Sequence, residues 1–210
     1  MPTMQLMSGW KVLFKPNCYG RVEYFRYCDD IIICCERQSD SQRIRKGIGE
    51  RLRRFSLTLN EEKTKVVNFS RFQSPSEVKK AKFDFLGFSF YLSQSRKGKL
   101  IPKLRTIGKR FRNKLNDVAQ WCRRNRHRGR LLGIWRTFVR KLQGHVNYYA
   151  VSYNGPNVKR FITAAVRIFF KWMNRRGQKR SFNWEQFQLF LKRFPPPKPN
   201  IRHNLLVDLV

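Results

Sequence analysis

Acidic side chains are what this sequence has least of. Its 210 residues hold 13 Asp and Glu against 46 Lys and Arg, a formal net charge of +33. None of the first 22 residues is acidic, and from Pro102 to Gln178 Asp117 stands alone. A solvated charged face normally mixes both signs, so the imbalance excludes a self-neutralised surface and points to a polyanionic partner. Long apolar runs are missing too: none approaches the roughly 18 consecutive apolar residues of a membrane span. The opening Met1-Pro2-Thr3-Met4-Gln5-Leu6-Met7 lacks the basic-then-apolar order of a secretory signal. Cysteine is sparse. Cys18, Cys28, Cys34, Cys35 and Cys122 are odd in number, two are adjacent, and none is spaced C-x-x-C. That argues against a disulfide framework or a zinc knuckle and predicts buried, reduced thiols in a cytoplasmic protein. His127, His145 and His203 lie too far apart for a zinc site. Apolar material is not lacking: 41% of the residues are hydrophobic and 14% aromatic, which excludes the disordered class that so large a charge otherwise suggests.

Residues 1 to about 20 show no clear periodicity. Val22–Cys28 and Ile31–Cys35 are aromatic or β-branched runs separated only by Asp29-Asp30, which predicts a β-hairpin with two carboxylates at its tip. The second run is apolar throughout and predicts a strand covered on both faces. Ser39 and Asp40 suit the N-cap of a helix with the stripe Ile44, Ile48, Leu52 and Phe55. Leu57–Leu59 and Lys65–Phe69 read as short strands about an Asn60-Glu61-Glu62 turn, and Gln73–Lys80 as a polar loop. Phe83, Phe85, Phe88 and Phe90 around Leu86-Gly87 predict a second hairpin, with a return arm Ser89–Leu92 and a turn at Arg96–Lys99 before Leu100-Ile101. From Pro102 onward the apolar period becomes helical, with stripes over Ile107–Cys122, Leu131–Tyr149 and Val158–Trp172 and a short helix Trp184–Phe194 ahead of three prolines. Strands and one helix come first, then helices alone. The fold class is α+β, an α+β lobe followed by an all-α one, with no internal repeat.

Two constellations could carry chemistry. Adjacent carboxylates on a tight turn repel each other unless a cation lies between them. Mg²⁺ takes one or two carboxylates plus substrate phosphates, and a metal pair would align the attacking and leaving oxygens of a phosphoryl transfer. An ordinary polar turn accounts for Asp29-Asp30 as well, so the pair alone leaves both readings open. The second constellation is the basic surface of the helical half. Arg110, Arg123, Arg124, Arg175, Arg176, Lys179 and Arg180 are its chief cations. Phosphate neutralisation by such groups releases counterions and gives strong, salt-dependent binding. His145 and Tyr148 lie off the main stripe of their helix and are candidates for stacking on unpaired bases. Trp135, Phe138, Tyr149 and Trp172 fall at core spacing.

Tyr27-Cys28-Asp29-Asp30 resembles the Y-x-D-D hairpin of reverse transcriptases, with Cys where group II intron enzymes usually carry Ala. Arg26 before it and Ile31-Ile32-Ile33 after it fit the same pattern. Leu59-Asn60-Glu61-Glu62-Lys63-Thr64-Lys65 is similar to the next palm motif, and Phe83-Asp84-Phe85-Leu86-Gly87-Phe88 to the F-x-F-L-G-F turn that grips the primer. Leu142-Gln143-Gly144-His145-Val146-Asn147-Tyr148-Tyr149, Trp172-Met173-Asn174-Arg175-Arg176 and Ser181-Phe182-Asn183-Trp184 resemble the thumb and maturase-specific domain of group II intron-encoded proteins. The resemblance runs over roughly residues 22–205. It implies a partial reverse-transcriptase palm over 22–101 and a thumb and maturase helical bundle over 102–205, with 1–21 set apart. It further implies RNA-directed DNA polymerisation, intron RNA binding that assists splicing, and intron mobility, in a bacterial cytoplasm. On this resemblance Asp29 is the metal-binding carboxylate, Asp30 the supporting acid and Mg²⁺ the cofactor. Tyr27 packs near the primer terminus, Lys63 protonates the leaving pyrophosphate, and Gly87, beside Phe88, lets a nucleic-acid backbone approach.

The departures are as informative. The family's polymerase site takes a further metal-binding Asp from a strand upstream of Y-x-D-D, and no Asp precedes Asp29 here. The fingers lobe has no counterpart either, nor does a C-terminal zinc endonuclease module. The expectation is a C-terminal part of a reverse transcriptase, holding Mg²⁺ weakly. Its polymerase activity is lost or needs a separate N-terminal reverse-transcriptase fragment. The expected partners are structured intron RNA and a DNA target or primer, with no membrane. Two rival readings stay open: a non-catalytic RNA-binding splicing cofactor with a decayed palm, and a nonspecific cationic nucleic-acid-binding protein.

Overall fold

A computed structural model of the chain describes residues 17–70, 72–177 and 182–204, and the chain divides into two compact units, residues 1–68 and 69–210. The fold is α+β as expected. The first unit holds strands β1 (Val22–Tyr27) and β2 (Asp30–Cys35), paired antiparallel from Val22 opposite Cys35 to Tyr27 opposite Asp30, and helix α1 (Gln38–Arg53). The core of this unit is small: Val22 and Ile44 are buried, with Cys18, Tyr24, Ile33, Cys35 and Ile48 packed around them. Strand alternation puts Val22, Tyr24, Ile33 and Cys35 on one face, toward Ile44 and Ile48 of α1. The other face carries Phe25, 55% exposed, so β2 is not covered on both sides as its apolar run predicts.

Asp40 is not an N-cap. Arg37 precedes the helix, and Asp40 lies buried in its first turn, accepting hydrogen bonds from the N–H of Gly20 at 2.8 Å and of Tyr19 at 3.2 Å. Burial opposes its charge, but these two donors, with Arg43 and Arg37 nearby, outweigh it and hold the carboxyl below the usual range. Arg45 pairs with Glu61. The segments expected as short strands, Leu57–Leu59 and Lys65–Phe69, are irregular. The turn between them is present, with the Asn60 carbonyl accepting from the N–H of Lys63 and Thr64.

The second unit begins with a short helix α2 (Pro75–Lys80), where the sequence predicts a loop. Pro75 stands in its first turn, and Ser74 and Glu77 form a reciprocal capping box. Strands β3 (Lys82–Phe85), β4 (Phe88–Gln94) and β5 (Leu100–Thr106) make an antiparallel meander in that order. Here β5 continues five residues past the Ile101 at which helical periodicity was expected to take over. Pro102 is tolerated because β5 is an edge strand, and Leu104 and Thr106 alternate inward. The boundary between the compact units falls ahead of this meander.

Four helices follow: α3 (Gly108–Asn125), α4 (Leu131–Tyr149), α5 (Gly155–Met173) and α6 (Trp184–Arg193). Their expected stripes meet in one core, where Trp135, Phe138, Phe169, Phe187 and Met173 are at most 2% exposed. The Trp135 indole N–H donates to the Phe194 carbonyl at 3.1 Å, satisfying the one polar group of the ring. Asn154, fully buried, ties the end of β5 to the α4–α5 junction. It accepts from the Thr106 N–H at 2.9 Å and donates to the Thr106 hydroxyl at 2.9 Å and the Tyr149 carbonyl at 2.8 Å. Of the five thiols only Cys122 is fully buried, and burial pushes its pKa up to about 12. Cys28 and Cys34 are exposed, against the expectation of buried thiols. Among the described residues no helix is long and apolar enough to cross a membrane.

Candidate nucleic-acid interface

The hairpin β1–β2 closes through the two-residue loop Cys28-Asp29. Cys28 adopts a φ of 51°, a conformation more natural to Gly or Asn, and the Arg26 Nε braces the loop by donating to the Cys28 carbonyl at 2.6 Å. Asp29 and Asp30 are both exposed, and Tyr27, opposite Asp30, is 61% exposed. The tip thus presents two carboxylates and a phenol ring to solvent. Mg²⁺ takes one or two protein carboxylates and completes its shell with water and phosphate oxygens, so this donor set fits it, at the minimum. Among the described residues no group of three or more His, Cys, Asp or Glu side chains gathers where a metal could sit. Lys63 is exposed in the Asn60 turn, and among the described residues no hydrogen bond or ion pair joins its side chain to Asp29 or Asp30.

In the second unit the structure does bring predicted site residues together. Leu86 and Gly87 form the two-residue loop between β3 and β4, with φ of 48° and 85°. Positive φ at both positions is the type I′ turn that matches strand twist, which places Gly87 in the turn itself. Its surroundings are close: a Cβ there would stand 3.2 Å from the Tyr149 hydroxyl and 3.4 Å from Arg110 Nη1. The Tyr148 hydroxyl donates to the Leu86 carbonyl at 2.8 Å, and its ring stacks on Phe88 with centroids 5.9 Å apart. Tyr148 remains 51% exposed and Arg110 is exposed, so with Phe88 they make one cationic, aromatic patch, while Gly87 itself is buried under the Tyr149 hydroxyl and Arg110. His145 is placed otherwise. Its ring lies on Phe161 with centroids 3.6 Å apart and against Tyr149, and burial, with Lys114 nearby, lowers its pKa to about 4. It is a neutral packing residue whose stacking faces are occupied.

The remaining cations line the helical surface. Arg123 and Arg124 are exposed near the end of α3, and Arg175 and Arg176 follow α5. Lys179 and Arg180 lie outside the described residues. The single acid of this stretch, Asp117, is already paired with Lys114 at 3.4 Å. Trp135, Phe138 and Tyr149 are core, as their spacing predicts. Trp172 is only half-buried, which stripe position alone does not reveal, although its i, i+3 relation to Arg175 was visible. Tyr148 and Leu86 lie 62 positions apart, and their bond has no local sequence signal.

Residues 4–90 match the reverse transcriptase (RNA-dependent DNA polymerase) family. The match spans the Asp29-Asp30 hairpin, α1, α2 and the Leu86-Gly87 turn, and it starts within the N-terminal stretch that the motif resemblance sets apart. Neither the curated proteins nor the solved structures give a match. This part of the chain carries the pattern of a reverse transcriptase, which implies a nucleic-acid partner in general.

Proposed function

We propose that the chain is a group II intron-encoded reverse transcriptase and maturase that grips structured intron RNA with its helical unit, assisting splicing and mobility in a bacterial cytoplasm. The observation that carries this reading is the one-sided charge. From Pro102 to Gln178 every acid but Asp117 is missing, and cations are exposed on successive helices behind the reverse-transcriptase match. Such a surface binds by neutralising phosphates and releasing counterions, so its affinity falls steeply with salt. The test compares the chain's binding to an intron RNA and to a random RNA of equal length at about 0.15 M salt. A preference of tenfold or more for the intron RNA is expected. Equal affinity would leave only a nonspecific cationic binder.

In the polymerase activity that comes with the family, Asp29 and Asp30 would hold Mg²⁺, which supplies positive charge at the transferred phosphoryl group. Lys63 would donate a proton to the leaving pyrophosphate, and Tyr27 would pack near the primer terminus. The bare pair of carboxylates favours a second reading, RNA binding without polymerisation unless a partner, such as an N-terminal reverse-transcriptase fragment, supplies the further metal ligand. Primer extension on an RNA template, with and without such a partner, separates the two. Extension that survives Asp29→Ala would sink the catalytic assignment.

A further inference from the structure

Two arginine-rich segments distant in sequence meet at one end of the helical unit. One is the α3–α4 connection, Arg126-His127-Arg128-Gly129-Arg130, and the other is Arg175-Arg176 after α5. They are tied by Arg176, whose Nη2 donates to the Gly129 carbonyl at 2.6 Å, with Gly129 at a φ of 114°. Between them stands the half-buried Trp172. The guanidinium of Arg126 lies 5.5 Å from its ring centre and that of Arg175 lies 5.4 Å from it, so the two charges are at most twice that distance apart. Arg126 is further oriented by donating from Nε to His127 Nε2 at 2.8 Å. The Asn174 side chain accepts from the Phe182 N–H at 3.0 Å.

Arginines gathered about one ring repel each other unless an anion balances them. Among the described residues the only acid from Pro102 onward up to α6 is Asp117, and it is paired with Lys114. The ring attracts both guanidinium groups by cation–π interaction while leaving most of their N–H donors for another acceptor. Guanidinium forks suit phosphate oxygens, two per contact. We infer that Arg126, Trp172 and Arg175, with Arg176 beside them, form a site for the phosphodiester backbone of RNA, read without regard to sequence. The site rests on the proposed RNA-binding role and narrows it to one end of the helical unit. Trp172 acts as the platform beside which both guanidinium groups are held.

The test measures binding of the full chain to a uridine oligomer across a salt series, using Arg126→Gln/Arg175→Gln and a charge-matched control, Arg96→Gln/Lys97→Gln, in the exposed β4–β5 turn. Loss of two phosphate contacts on a single strand should cut the slope of log affinity against log salt by about 1.4 and weaken binding about tenfold at low salt, with the control changing far less. Arg126→Lys/Arg175→Lys should keep most of the slope yet bind several-fold more weakly, because an ammonium cannot fork or stack. Inorganic phosphate competing as well as the oligomer would overturn the backbone assignment in favour of a simple anion site. If wild type binds RNA and the double variant matches the control, the site is refuted while the RNA-binding role stands. If wild type fails to bind RNA at all, the role itself falls. Circular dichroism of each variant establishes that the helices are intact, and Trp172→Phe gives a second route to the same comparison.

Discussion

The two units divide the chain's charge and its core unequally, and in the same direction. Residues 1–68 carry 13 Lys and Arg against 8 Asp and Glu, whereas residues 69–210 carry 33 against 5. The first unit buries Val22 and Ile44, while the second wraps a continuous aromatic core from Cys122 to Phe187. Hydrophobic stabilisation scales with buried area, and self-repulsion grows with net charge. A net charge of +28 is therefore borne by the unit with the apolar reserve to tolerate it. The unit with the carboxylate pair stays near charge balance and relies on polar ties such as those of Asp40. The difference also separates two kinds of surface: an exposed pair of acids in one unit, and an exposed array of cations in the other.

The sharpest way to break this comparison is to empty each core in turn. Trp135→Ala should cost about 3–5 kcal/mol, because the ring packs against Phe138, Phe169 and Phe190 and its N–H partner at Phe194 would be orphaned. Urea unfolding followed by helical circular dichroism measures it. Ile44→Ala should cost less, near the 2 kcal/mol floor for buried Ile, since its neighbours are only partly buried and can close in. Equal losses would mean that the first unit is as well packed as the second.

Acid should separate the units by pH. His145 is held neutral in the folded chain, its pKa lowered from 6.5 to about 4, so between those values the unfolded chain binds the extra proton. Stability of the helical unit should fall as pH drops through that window, by up to about 3 kcal/mol. His145→Phe should flatten the dependence. Asp40 works lower. Its carboxyl is depressed below 3.8, so its contribution is present above that value and is lost only as pH falls further. Amide exchange of α1 that weakens between pH 6.5 and 4 in step with the helical unit would contradict this assignment.

Asn154→Ala tests the polar link inside the second unit. The change strips a partner from the Thr106 N–H and hydroxyl and from the Tyr149 carbonyl, all near or below the surface, and should cost about 2 kcal/mol in urea unfolding. A loss no larger than that of an exposed substitution such as Asn116→Ala would show that water replaces the amide.

Much of this was legible in the sequence, for identifiable reasons. Periods of 2 and 3.6 gave both hairpins and all four long helices, because a half-buried strand and an amphipathic helix each impose a fixed spacing. The Asp29-Asp30 tip followed from two apolar runs split by turn formers. Where reading failed, a nonlocal contact had decided the outcome. Asp40 looks like a cap by residue type, but Tyr19 and Gly20 fold back onto it. Pro102 looks like the start of helical sequence, but an edge strand accommodates it. His145 looks like a free stacking residue, yet Phe161 of the next helix lies on its face.

The Leu86-Gly87 turn offers the finest test of the helical unit, because it joins local turn chemistry to a distant tether. The turn needs positive φ at Leu86, which a leucine adopts at a cost of order 1 kcal/mol. Something outside the hairpin must favour that conformation, and the Tyr148 hydroxyl bound to the Leu86 carbonyl is placed to do so. Tyr148→Phe keeps the ring stacked on Phe88 and removes only the donor, so it should cost about 1 kcal/mol. The effect should appear mainly as faster amide exchange at Ile107, whose N–H donates to the Gly87 carbonyl at 3.1 Å, with the α4–α5 core amides unchanged. Exchange that rises equally across α4 and α5 would place the Tyr148 hydroxyl in the support of the core. Exchange that rises only near Gly87 would show the turn to be a separately tunable part of the cationic patch.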